Sequence, residues 1–150
     1  MGEPSPKVSL REITKETLTE ILKLKVAGSQ QGLVGDNANS ISQAHFDEKA
    51  WFRAVYADET PVGFALLSID REKPEFYLWR FMIDEAHQGS GHGKRAMEIL
   101  IEMVRSEPEA TEFTLHVMDR EDSARSFYES LGFEATGEKE EDELVMRLKL

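Results

Sequence analysis

The run Gln88-Gly89-Ser90-Gly91-His92-Gly93 holds the residues best suited to chemistry. It follows a β-forming segment that ends at Ile83 and opens a helical segment, so several backbone N–H groups point out of a helix N-terminus. Glycine lets the backbone approach a ligand with no Cβ in the way, and the helix dipole adds partial positive charge. Lys94 and Arg95 add two real charges to the first turn, where cations otherwise disfavour the helix. The ligand such a loop selects is an anion, a phosphate or pyrophosphate above all. Two familiar phosphate motifs fail here. A P-loop needs Ser or Thr after Gly-Lys and a further glycine five positions earlier, whereas this chain has Arg95 and Gln88 there; the third glycine of a dinucleotide fingerprint would fall at Lys94. A plain glycine-rich connection is the alternative reading of the loop taken alone.

The elements around the loop must hold it in place. Thr14 to Val26 carries Leu18, Ile21 and Leu22 at helical spacing, Gln30 to Ser40 reads as loop, and a second helix is expected near Ser40 or Ser42. Trp51 to Tyr56 and Val62 to Ile69 are β-forming and flank a turn at Asp58 to Pro61; Phe76 to Ile83 is a third, aromatic strand. Met97, Leu100, Ile101 and Val104 then mark a helix that ends before Pro108, and Phe113 to Val117 a short strand. Ala124, Phe127, Tyr128 and Leu131 return to helical spacing until Gly132. Phe133 to Gly137 and Leu144 to Leu148 can pair across the acidic turn Glu138 to Asp142. The order β-α-α-β-β-β-α-β-α-β-β gives one α+β domain over 8–150, with 1–7 as a flexible N-terminal tail.

Composition narrows the function. With 150 residues, 40% hydrophobic and 31% charged, the chain suits one soluble domain, and no apolar stretch approaches the roughly 20 residues of a membrane span. The net charge of −11 argues against a nucleic-acid partner and suits a cationic small molecule, though an acidic surface also serves solubility alone. Without cysteine there is no disulfide, thiolate metal site or cysteine nucleophile, and no metal site is expected. No secretory signal is visible at the N-terminus, so a cytoplasmic location is expected.

Two stretches together resemble the GNAT superfamily of N-acetyltransferases. Gln88, Gly91 and Gly93 fit its cofactor loop, and Ala124-Arg125-Ser126-Phe127-Tyr128-Glu129-Ser130-Leu131-Gly132-Phe133 is similar to its second signature. The resemblance runs from about Val62 to the C-terminus. It implies a mixed, mostly antiparallel sheet of about six or seven strands flanked by about four helices and splayed at the cofactor site. It also implies acetyl-CoA as co-substrate, with Met82 and Ile83 offering backbone groups to the pantetheine arm. Gln88, Gly89, Ser90, Gly91, His92, Gly93 and Lys94 would hold the pyrophosphate, and Phe127 and Tyr128 would lie near the thioester. Glu121 stands where many members carry an Asn that contacts the pantetheine, and Trp79 where related polyamine acetylases often carry a carboxylate. The segments Trp79 to Asp84 and Val145 to Leu148 look most like bacterial spermidine and spermine acetylases, so a polyamine is the expected acceptor. A protein or antibiotic amine, or a silent acyl-CoA-binding module, is the alternative. The homodimer common among relatives is the assembly the resemblance implies.

Acetyl transfer to an amine needs a deprotonated amine, a stabilised oxyanion and a proton for the thiolate. The amide of Met82 or Ile83 is expected to polarise the carbonyl and Tyr128 to be the acid; the alternative for Tyr128 is a core tyrosine bonded to backbone. Glu75, His116 and Glu121 are the candidate bases, each equally readable as a structural or exposed group. Trp79, Phe81 and Phe76 read as core or as a wall of the acceptor site. Arg80, a charge inside an apolar strand, needs a partner, and the Asn37 to Gln43 segment is expected to cover the amine site as a loop.

Overall fold

Strand β1 (Val8–Arg11) is followed by helices α1 (Leu18–Leu22) and α2 (Asn37–His45), then by strands β2 (Ala50–Ala57), β3 (Thr60–Asp70) and β4 (Glu75–Ile83). Helix α3 (His92–Arg105), strand β5 (Glu112–Met118), helix α4 (Arg125–Ser130) and strands β6 (Glu134–Glu140) and β7 (Glu143–Lys149) complete the chain. The computed structural model describes residues 6–25, 37–120 and 124–150. The order of elements is the expected one. The strands form a single sheet ordered β1-β2-β3-β4-β5-β7-β6, antiparallel except between β4 and β5.

Two boundaries differ from the sequence reading. Helix α1 is short because Thr14 and Thr17 close a turn ahead of it, the Thr14 amide donating to Thr17 Oγ1 at 2.9 Å, a competition with helix that hydroxyl side chains commonly offer. The Asn37 to Gln43 segment is not loop but the start of α2. Asn37 is buried there, its Nδ2 donating to the Ile21 carbonyl at 2.8 Å, so a residue type that suggests a turn instead ties α2 to α1.

Both faces of the sheet are covered. Met97, Leu100, Ile101 and Val104, spaced along one face of α3, bury against Phe113, Leu115 and Val117 of β5 and Leu144 and Met146 of β7. At about 1.5–3 kcal/mol for each fully buried aliphatic side chain, this helix is held by its stripe rather than by propensity. Ile21 of α1 and Ala44 of α2 pack on the opposite face with Phe64, Leu66 and Met82.

Strand β4 carries the irregularity that matters. Its register with β3 passes from Leu67↔Leu78 to Leu66↔Arg80, so Trp79 is an extra residue, a β-bulge. Before it, Phe76 and Leu78 pack on the α3 face; after it, Phe81 and Ile83 take that face while Trp79 and Met82 join the α1/α2 side. Pairing of β4 to β3 continues to Gly63↔Ile83, but pairing to β5 covers only Tyr77↔Thr114 and Leu78↔Leu115. Beyond that point β4 and β5 separate, as the resemblance implies. Gly63 is obligatory at the bend: a Cβ there would lie 2.4 Å from the Met82 carbonyl oxygen and 2.8 Å from Ile83 Cδ1.

Candidate active site

The wedge between β4 and β5 is a cleft of about 590 Å³, walled by Tyr77 to Ile83, by Leu115 to Met118, by the glycine loop and by α4. Because β4 loses its β5 partner after Leu78, its backbone groups on that side face the cleft. Unpaired strand groups are bound by water or by an extended ligand that adds like a strand.

The glycine loop closes one end. Gly89 and Gly91 both have φ +82°, in the left-handed region, and nothing lies within 4 Å of where a Cβ would stand, so the backbone is bare toward the cleft. Gly91 caps the 14 residues of α3, whose first N–H groups have no partner within the helix. Gly93 is needed for packing, since its Cβ would meet Ile83 Cγ1 at 3.3 Å and Phe127 Cζ at 3.6 Å. The loop is pinned from behind by Asp84, which accepts from the Lys25 amide at 2.8 Å and lies 3.1 Å from His87 Nδ1, while Gln88 Nε2 donates to the Ile83 carbonyl at 2.9 Å. A pyrophosphate fits this cradle: bare N–H groups, a helix end, and the Lys94 side chain on the cleft wall.

Of the other residues singled out from sequence, Met82, Ile83, Gln88, Gly89, Gly91, His92, Gly93 and Lys94 line the cleft; Ser90 is on the loop but exposed and off the wall. Glu121 lies outside the described residues. Phe127 stacks on Phe81 with ring centroids 6.4 Å apart and meets Tyr128 edge-on at 5.1 Å. Tyr128 is only 8% exposed, its ring against Phe133 at 5.8 Å, yet it lines the cleft. Its hydroxyl makes no hydrogen bond to a described residue, so the backbone-bonded alternative has no counterpart here. Burial raises the phenol above its ordinary value, so the hydroxyl holds its proton.

Among the candidate bases the structure separates two. Glu75 sits exposed at the start of β4, paired with Asp70 in register and away from the cleft. His116 lies on the cleft wall, its Nδ1 3.2 Å from Glu143 Oε2 and its ring edge-on to Tyr77 at 5.0 Å. Phe113, Leu115 and Val117 fill the α3 face of β5, so His116 projects from the other face, as Glu143 does on β7 beside the buried Leu144. Tyr77 shares this patch: burial raises its phenol, Glu143 and Glu140 add to the rise, and Arg80 opposes it. Arg80 has no carboxylate partner among the described residues; its Nη1 donates to the Trp79 carbonyl at 3.0 Å and its Nε is buried without a partner. Phe76 is core, while Trp79 and Phe81 both pack and line the cleft.

Sequence reasoning missed Tyr77, Glu143 and Gly63. Only Glu143 left a signal, as a carboxylate one residue before the β-forming run that opens at Leu144.

Residues 14–133 match the family model described as Acetyltransferase (GNAT) family. The spermine/spermidine N(1)-acetyltransferase of Bacillus subtilis (strain 168) is 25% identical, the match covering 87% of this chain and 90% of that protein. Two solved structures share the fold. One is the PaiA N-acetyltransferase of Thermoplasma acidophilum in complex with coenzyme A, at TM-score 0.71 and 18% identity over 96% of this chain and 99% of that one. The other is a spermidine N-acetyltransferase chimera from Vibrio cholerae and hSSAT, at TM-score 0.73 and 20% identity over 95% of this chain and 94% of that one.

Proposed function

Because the chain belongs to the GNAT family of acetyltransferases, we propose that it transfers the acetyl group of acetyl-CoA to a primary amine of a small cationic acceptor, a polyamine such as spermidine or spermine. The observation that carries this reading is the wedge where β4 leaves β5, with a bare anion cradle at one end and a carboxylate-flanked imidazole on its wall. When bound there, acetyl-CoA supplies an activated acyl thioester.

The residues divide the work. The amides at the start of α3, with Lys94, bind the pyrophosphate, and Gln88 keeps the loop folded against Ile83. The free edge of β4 from Trp79 to Ile83 orients the pantetheine arm, and an amide at Met82 or Ile83 polarises the carbonyl oxygen. Tyr128 holds a proton on its hydroxyl for the departing sulfur, while Phe127 and Phe81 exclude water from that end. On the opposite face Glu143 and Glu140 favour a cationic acceptor, and the chain's net charge of −11 concentrates one. The names of the relatives point the same way.

Free-thiol release from acetyl-CoA, followed across diamines, polyamines, amino sugars, a lysine peptide and neutral amines, tests the reading. Release is expected with the polyamines first. Release with the lysine peptide alone would replace the acceptor class, and coenzyme binding without release under any amine would leave a silent binding module.

A further inference from the structure

A polycation reaches the site as ammonium, which has no lone pair to attack with, so a group on the acceptor face must take a proton. Resting on the acetyl-transfer reading above, we infer that His116 is the proton acceptor for the amine and that Glu143 positions it.

The geometry supplies the reasons. Carboxylate oxygens only accept, so the 3.2 Å contact fixes the Nδ1–H toward Glu143 and leaves the Nε2 lone pair as the basic site of the neutral ring. Tyr77 packs edge-on against the ring and holds its plane. The side chain is 19% exposed, enough to meet a ligand and too little to be a solvated surface group. It also stands on the wedge itself, one residue past the last β4–β5 pair, where the acyl group is presented.

The charges around it come from three strands. Glu143 lies on β7, with Arg147 further along engaged by Glu112 at 3.6 Å. Glu140 of β6 lies 3.7 Å from Nδ1, and Tyr77 and Arg80 face the patch from β4. Glu143 and Glu140 present carboxylates to the ring, and Arg80, whose Nη1 donates to the Trp79 carbonyl and which has no carboxylate partner among the described residues, adds a positive charge from β4.

The proton count closes. One ammonium proton passes to Nε2 and then to solvent, and the freed lone pair forms the N–C bond. As the C–S bond breaks, Tyr128 gives its proton to sulfur and regains one from the new amide nitrogen.

His116→Ala is expected to lower kcat/KM with spermidine about 10²-fold at pH 7, with coenzyme A affinity unchanged by calorimetry. The deficit should narrow as pH approaches the amine's own pKa, about 10 for an alkylammonium, because a neutral amine needs no base. Added imidazole should restore part of the loss. A deficit below about threefold, or one equal at every pH and indifferent to imidazole, overturns the assignment while the acetyl-transfer reading stands. In coenzyme-free protein the Nδ1 proton resonance of His116 should be seen in the wild type and lost in Glu143→Ala; its persistence overturns the positioning role. If the wild type itself releases no thiol with any amine, the acetyl-transfer reading falls and this inference with it.

Discussion

Replacing Tyr128 by Phe removes one hydroxyl and little else. The ring keeps its edge contacts with Phe127 at 5.1 Å and Phe133 at 5.8 Å, and the lost group has no hydrogen-bond partner among the described residues. Net hydrogen-bond loss is therefore near zero, and the melting temperature should move by less than the roughly 2–4 °C that 1 kcal/mol represents in a chain of this size. Activity is a different matter. The phenol is raised above its ordinary value of about 10, while a thiol titrates near 8.5, so full transfer from the resting phenol to a relaxed thiolate runs uphill by at least about 2 kcal/mol. The proton can move only while sulfur is still strongly basic, which places the contribution near the low end of acid–base catalysis, about 10²-fold in kcat. Burial raises the phenol, so it stays protonated through neutral pH, and no falling limb of kcat below about pH 10 should belong to it. Stopped thiol release with saturating spermidine, beside calorimetric coenzyme A binding and thermal melting, measures all three. Full activity in Tyr128→Phe, or a stability loss large enough to account for the drop, would rule out Tyr128 as the acid.

Gly91→Glu puts a bulky anion at φ +82° beside the phosphate cradle and should weaken coenzyme A at least tenfold by calorimetry, about 1.4 kcal/mol, with the fold retained by circular dichroism. Gly63→Ala drives a methyl to 2.4 Å from the Met82 carbonyl, so β4 must shift; a loss of about 1–3 kcal/mol in denaturant unfolding, with weaker coenzyme binding, is expected. Asp70, held below the ordinary carboxylate range by Lys49 Nζ at 2.9 Å and by the amides of Lys73 and Glu72, stabilises the β3–β4 turn only while ionised. A depressed folded pKa means that this stability is present above about pH 4 and is lost as pH falls further, so Asp70→Asn should flatten the acid side of the melting curve. Cationic acceptors should outrun neutral amines of equal length, and the advantage in kcat/KM should shrink as salt rises.

What could be read from the sequence was local. The stripe Met97, Leu100, Ile101, Val104 marks α3 because 3.6-residue spacing is written in neighbouring residues, and the glycine loop declares itself because its conformation depends on missing side chains. The site's other half depends on partners far along the chain. Glu143 reaches His116 across 27 residues through the β5–β7 pairing, and Gly63 is forced by the backbone of Met82 on the next strand. The bulge at Trp79 breaks period-two alternation, so no pattern on β4 reveals which face Arg80 takes. Asn37 misleads for a related reason, since its amide is satisfied by a carbonyl of another helix.

In the proposed reaction an acyl group held in the β4–β5 wedge passes to a polyamine nitrogen. Incubation with acetyl-CoA and spermidine, followed by mass spectrometry of the amine and titration of the thiol, tests this most directly. Singly acetylated spermidine and free coenzyme A are expected in equal amounts, both formed at least tenfold more slowly by Gly91→Glu at limiting acetyl-CoA. Thiol release with unmodified spermidine, or acetylated spermidine formed equally well by the Gly91→Glu variant, would contradict that reaction.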